Sequence, residues 1–321
     1  MMENKMWAMM LHLGYNQWHD RFSSFQGDDE DPIYRDFLYF EKSAWNEITR
    51  ELPQHGFNTV LINLAEGVRL DSCPEIAVKG SLSKQELKQE LDRLRTMGFT
   101  VLPKLDFSAA HDAWLGEYHQ TVGSKLYEAL VCRIIDEVCE LFDTPGYFHL
   151  GMGDENAQAQ NGYGHLIIRQ VNLYWREMYQ MWDVLFKKGV RPWISSEYYS
   201  RYPKAFLAKM SPEVLISAEY AGRLYLPDPL DVHQTPPEQT AFETLISCGY
   251  DFIPEITIAG WRQTPNDMFR FAADALAEDK HFKGILASSQ MATTQSNKYG
   301  ILHIAQRYGV GKQEHWDKKY R

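Results

Sequence analysis

The chain has 321 residues, 44% apolar and 13% aromatic, enough to bury a large core and within the size range of single α/β barrels. Its 33 Lys and Arg stand against 43 Asp and Glu, a net charge of −10 that repels phosphate backbones and anionic membrane surfaces. With no basic patch and no apolar stretch of membrane-spanning length, the expectation is no nucleic acid and no membrane partner.

In chain order, MMENKMWAMMLHLGYNQW places an acid and an amide ahead of a short apolar run and has no small-residue cleavage site. It does not read as a signal peptide, and a cytoplasmic location is the expectation. The run WAMMLHL from Trp7 is the first of eight strand-like runs. The others are NTVLINL from Asn58, FTVLPKLDF from Phe99, YFHLGM from Tyr147, RPWISSEY from Arg191, EVLISAEY from Glu213, DFIPEITI from Asp251 and KGILASSQ from Lys283. Helical patterns alternate with them. The clearest opens at Ser83, where Ser-Lys-Gln-Glu sets a capping box to Glu86 and Leu87, Leu91 and Leu94 share one face until Gly98. A longer aromatic-rich helix is predicted over Gly164 to Gly189, and two more follow prolines, over Pro236 to Gly249 and Pro265 to Glu278.

This alternation predicts an α/β fold, a single-domain (β/α)8 TIM barrel over residues 1–321. No glycine-rich phosphate loop follows any strand, which removes the main reason to prefer an open dinucleotide-binding sheet. Residues 17–34, with an acidic run after Gly27, and the proline-rich residues 222–239 read as long loops after strands one and six. Cys73, Cys132, Cys139 and Cys248 are too scattered for a zinc pattern and read as reduced, buried thiols.

In such barrels chemistry sits at the carboxyl ends of the strands. Here those ends carry Asp106 with His111 beyond it, Asp154 and Glu155, Glu197, Glu219 and Glu255, and strand eight ends in Gln290. Single acids at strand ends often serve as ion-pair or capping residues, but so many on one rim point to acid/base chemistry. The segment YFHLGMGDEN, Tyr147 to Asn156, is the most informative, because its glycines let the backbone turn and present Asp154 and Glu155 together. Two neighbouring carboxylates in a desolvated pocket do not both ionise, which suits one of them to general-acid work.

That segment is similar to the His-x-Gly-Gly-Asp-Glu signature of family 20 glycoside hydrolases, the β-N-acetylhexosaminidases, and VLPKLDFSAAHDAW from Val101 resembles their strand-three motif. FNTVLINLAEG and the Ser83 helix follow the same order, so the likeness covers roughly residues 56 to 156. The resemblance implies retaining, substrate-assisted cleavage of a terminal N-acetylhexosaminide, with Glu155 as acid/base and Asp154 orienting the 2-acetamido group. It also implies supporting roles for Asp106, His111 and His149. The chain departs from the pattern in the extra Met152, in Lys104 for a glutamate, in a first strand without the sugar-gripping arginine, and in Gln290.

Two other readings stay open. A two-glutamate retaining glycosidase would use Glu155 and Glu255, about 5–5.5 Å apart for direct attack or about 6.5–9.5 Å apart for an activated water. A non-catalytic carbohydrate-binding barrel would keep the fold without the chemistry. Trp193 and Trp261 could stack on a sugar or pack the core. No His-x-His pair ends strand one and no lysine ends strand four, so no metal and no cofactor is expected, and a carbohydrate is the expected partner. A homo-oligomer is left open.

Overall fold

The computed structural model describes residues 5–23, 32–153, 155–219, 244–257 and 265–320. Eight parallel strands follow one another in chain order around a closed barrel. They are β1 (Met6–His12), β2 (Thr59–Asn63), β3 (Thr100–Lys104), β4 (Tyr147–His149), β5 (Arg191–Ser195), β6 (Leu215–Glu219), β7 (Phe252–Thr257) and β8 (Gly284–Ser288). Each coincides with one of the runs read from the sequence. These runs are mainly apolar and not strictly alternating, because a parallel barrel strand is covered on both faces: β2 and β8 are buried along their whole length.

The chain forms two compact units, Met1–Leu11, Glu41–Leu61 and Ser195–Arg321 making the first, and His12–Phe40 and Ile62–Ile194 the second. In the first, β1 pairs with β8 from Met6↔Gly284 to Met10↔Ser288, and β7 pairs with β8 and β6. Its core includes Phe57 stacked on Tyr308 at 4.2 Å, with the Tyr308 hydroxyl donating to the Ile285 carbonyl at 2.9 Å. Helix α1 (Lys42–Glu51) buries Ala44, Trp45 and Ile48.

In the second unit β3 pairs with β4 at Lys104↔His149, and β4 with β5 from Tyr147↔Arg191 to His149↔Trp193. Helix α2 (Lys84–Thr96) starts as the sequence predicts: Ser83 accepts from the Glu86 N–H and the Glu86 side chain accepts from the Ser83 N–H. Helix α3 (Lys125–Leu141) is capped by Ser124 and buries Tyr127, Leu130, Val131, Ile134 and Val138.

The helix predicted from Gly164 begins later, as α4 (Val171–Lys187). The Gln160 side chain is the cause, since it donates to the Ile167 carbonyl at 2.7 Å and accepts from the Ile167 N–H at 2.9 Å. These two bonds tie up the backbone groups that a helix would need. The cysteine expectation holds for Cys73 and Cys139, whose burial pushes each thiol up to about 12. Cys248 differs, being exposed. The loop over residues 222–239 and most of the helix expected from Pro236 lie outside the described residues. Among the described residues no helix is long and apolar enough to cross a membrane.

Candidate active site

The second unit gathers polar side chains where its strands end. After β3, Asp106 is buried and receives the Ser108 hydroxyl at 2.6 Å and the Ser108 N–H at 3.1 Å. Its other oxygen faces Lys104 Nζ at 3.4 Å and His111 Nδ1 at 3.5 Å. Burial opposes ionisation, but Lys104, His111 and Ser108 together outweigh it and hold the carboxyl well below the usual carboxylate range. Asp106 is therefore a fixed anion near neutrality.

His149, the last residue of β4, is buried, and its Nδ1 accepts the Gly151 N–H at 3.0 Å. An accepting Nδ1 carries no proton, so the ring is neutral with its hydrogen on Nε2. Burial, helped by the nearby Lys104 charge, pushes its proton affinity well down, in agreement with that tautomer. Gly151 has φ +67°, and a Cβ there would lie 1.9 Å from Asp106 Oδ1, so only glycine lets the chain leave β4 this close to the acid. Trp193, opposite His149 on β5, is fully buried with ring centres 4.9 Å apart. Its position is that of a packing residue and not of a sugar platform.

Glu155 follows this turn with a side chain only 1% exposed. Its Oε1 accepts the Ala109 N–H from the loop after β3 at 2.8 Å and Arg169 Nη1 at 2.6 Å. Its Oε2 is buried without a hydrogen-bond partner among the described residues. Burial pushes the carboxyl above its ordinary range, and Arg169 and the Ala109 N–H offset only part of that. Arg169 is itself fully covered: Nε donates to Glu177 on α4 at 2.6 Å and Nη2 to the Tyr127 hydroxyl on α3 at 2.8 Å. In the same unit, Asp112 has both side-chain oxygens buried without a side-chain partner among the described residues, and burial raises its proton affinity well above normal.

The described part of the loop after β1 packs over residues 160–165. Tyr163 donates its hydroxyl proton to the Gln17 carbonyl at 2.7 Å, and Asp20 accepts the Gly164 N–H at 3.0 Å. Glu66, at the end of β2, accepts the Tyr15 and Asn16 N–H groups at 2.8 and 3.0 Å and so anchors the start of that loop.

The structure thus brings Asp106, His111, His149 and Glu155 into the second unit. Glu197, Glu255 and Gln290 belong to the first unit: Glu197 opens a five-residue helix after β5, Glu255 is half-buried on β7, and Gln290 is exposed just after β8. Glu219 ends β6 in register with Glu255. Asp154 and Trp261 lie outside the described residues. Sequence reasoning missed Asp112, Arg169, Glu177 and Tyr127. The one signal available was the eight-residue spacing of Arg169 and Glu177, about two helical turns, and α4 begins only between them. Among the described residues no group of His, Cys, Asp and Glu is arranged to hold a metal ion.

No protein-family model matches the chain, and no curated relative matches it. Solved structures do. A β-N-acetylhexosaminidase from Bacteroides fragilis superimposes with a TM-score of 0.63 at 14% identity, over 99% of this chain and 71% of that one. A GH20 exo-β-N-acetylglucosaminidase from Vibrio harveyi gives 0.64 at 13%, over 98% of this chain and 56% of the other. The Streptomyces plicatus N-acetyl-β-hexosaminidase gives 0.62 at 12%, over 95% and 63%. The chain therefore spans between about half and seven-tenths of the length of these proteins, and what it shares with them is the fold, a barrel like that of distant family 20 glycoside hydrolases.

Proposed function

We propose that the chain is a glycoside hydrolase that removes a terminal N-acetylhexosamine residue by retaining, substrate-assisted cleavage. In this reading Glu155 protonates the leaving oxygen and Asp154 orients the acetamido group, whose carbonyl oxygen attacks the anomeric carbon. The observation that carries it is the placement of Glu155: a buried acid after strand four with Oε1 held by the Ala109 N–H and Arg169, and burial, which raises its proton affinity, agrees with an acid role. With Oε1 engaged by two donors, the proton belongs on Oε2, which has no partner among the described residues. That oxygen is the one available to a leaving group. Asp106 serves as a fixed anion in the same unit, held in place by Lys104, Ser108 and His111. Similarity of fold to several hexosaminidases supports the substrate class.

One observation favours a second reading, a barrel that binds a carbohydrate without cleaving it. The Glu155 side chain is almost wholly covered and clamped by Arg169, as a structural ion pair would be. The test is a panel of chromogenic α- and β-glycosides, including N-acetylglucosaminide and N-acetylgalactosaminide, with the wild type, Glu155→Gln, Asp154→Asn and Glu255→Gln. Loss at Glu155 and Asp154 with Glu255 spared supports the substrate-assisted route. Loss at Glu155 and Glu255 replaces it with the two-glutamate route, and sugar binding without turnover replaces it with the binding barrel.

A further inference from the structure

Every other tryptophan among the described residues is buried, whereas Trp18 is half-exposed. It lies six residues past the end of β1, in the second unit, at the end of the barrel where the strands finish. Exposure alone says little, since single apolar side chains at a surface are common. What sets Trp18 apart is how firmly it is held. On its backbone side, the Gln17 carbonyl accepts the Tyr163 hydroxyl at 2.7 Å, and a Cβ on Gly162 would come within 2.4 Å of the Trp18 carbonyl oxygen. On its side-chain side, three rings brace the indole: Tyr15 edge-on with centres 5.0 Å apart, His12 at 5.8 Å, and His111 edge-on at 6.1 Å.

The braces are themselves fixed. Tyr15 is buried, and Glu66 accepts its N–H at 2.8 Å. His12 is buried too, its Nδ1 accepting the side-chain amides of Asn63 and Gln17 at 3.1 and 3.2 Å, so its proton is on Nε2 and the ring is neutral. His111 faces Asp106 at 3.5 Å. An indole locked in this way has lost its conformational freedom before any ligand arrives, and a ligand that lands on it has little ordering left to do. The loop after β3 also ties it to the acids, for it carries Asp106, the Ala109 N–H that Glu155 accepts, and His111 against the indole edge. Trp193, which the sequence also offers for contact with a sugar, is fully buried.

We propose that Trp18 is a specificity-determining residue of this site, the flat platform on which the substrate's sugar ring stacks. The proposal rests on the reading of the site as one for a carbohydrate, and names the contact that selects a pyranose. A pyranose is apolar on the face where its C–H bonds point and polar around its edge. A fixed indole takes that face by dispersion and apolar burial, while the hydroxyls at the edge keep their hydrogen bonds. An open-chain polyol has the same hydroxyls but no rigid face, so it gains nothing from the ring.

The experiment is a titration of the full chain with N-acetylglucosamine, followed by the indole N–H signals of 15N-labelled tryptophan in NMR, with sorbitol as the open-chain control. Trp18→Phe identifies the Trp18 signal by its loss. N-acetylglucosamine should shift that signal saturably and sorbitol should leave it in place. Trp18→Ala should weaken N-acetylglucosamine binding by roughly tenfold, and Trp18→Phe, which keeps a flat ring, should restore most of the loss. A purely structural role would move thermal stability without this rescue of binding. A Trp18 signal unmoved by the sugar, or Trp18→Ala binding as tightly as the wild type, would overturn the proposal. If Trp18→Ala does not fold, the wild-type signal decides. Binding that depends on Trp18 in a protein that cleaves no glycoside leaves the platform standing and removes the hydrolase; turnover with the Trp18 signal unmoved removes the platform only.

Discussion

Replacing Arg169 with methionine isolates what the buried cation does. The guanidinium is fully covered and makes three charge-assisted or polar bonds, to Glu155, Glu177 and the Tyr127 hydroxyl. Methionine keeps much of the volume and removes the charge, leaving two acidic side chains, 1% and 3% exposed, without their counter-ion. Removing one partner of a buried pair costs about 3–5 kcal/mol, and these groups are too covered for solvent to relieve it. The loss depends on pH with a definite sign. Without Arg169 the folded-state proton affinity of Glu155, already raised by burial, rises further above its unfolded value near 4.3. Its contribution is then retained below about pH 4 and lost as pH rises towards the folded value. Urea denaturation of wild type and Arg169→Met at pH 5 and pH 8 should show a deficit at both, larger at pH 8. Equal stability of the two proteins, or a deficit that shrinks as pH rises, would refute the account of Arg169 as counter-ion.

Three more outcomes are expected from the same structure. Gly151→Ala places a Cβ 1.9 Å from Asp106 Oδ1 at a residue with φ +67°, and should cost about 3 kcal/mol in thermal or urea unfolding. Ser83→Ala removes the side-chain half of the capping box on α2, leaving the Ser83 N–H bond to Glu86, and should cost about 1 kcal/mol by urea denaturation, with no effect on carbohydrate binding. Asp106 holds its proton less tightly than in the unfolded chain, so its contribution to stability is complete above about pH 4 and is lost as pH falls through its depressed folded value. Asp106→Asn should therefore be less stable at pH 7 yet flatter between about pH 4 and pH 2, which thermal melts across that range would detect.

The eight strands were legible because strands covered on both faces, such as β2 and β8, which are buried along their whole length, carry mainly apolar runs, and because each run is bounded by turn residues. The start of α2 was legible because Ser83 and Glu86 are local to it. The start of α4 was not, since a side chain seven residues earlier, Gln160, holds both backbone groups of Ile167. The site divides the same way. Asp106, His149 and Glu155 announce themselves by lying where strands end, a property of the chain read linearly. Asp112, Arg169, Glu177 and Tyr127 come from a turn, a loop and two helices, and only the fold sets them against one another. No short-range spacing encodes that group, and its charge balance is invisible until burial is known.

The residue that Gly-Met-Gly adds to the signature the sequence resembles lies in a tight turn just past β4. Gly151 and Met152 both adopt left-handed backbone, φ +67° and +59°, so the chain reverses its course at once on leaving β4. For methionine that conformation costs about 1–2 kcal/mol. Complete burial of its side chain and the Tyr174 hydroxyl on its carbonyl at 2.8 Å offset the cost and fix the turn. The turn carries the chain across Asp106, close enough to exclude any side chain at residue 151, and delivers Glu155 to the Ala109 N–H and Arg169. A glutamate set in that position exchanges the mobility of a solvent-facing acid for a fixed geometry and a tightly held proton. Chemistry at this site would then depend on how readily Glu155 Oε2, which no described residue bonds, is reached from outside.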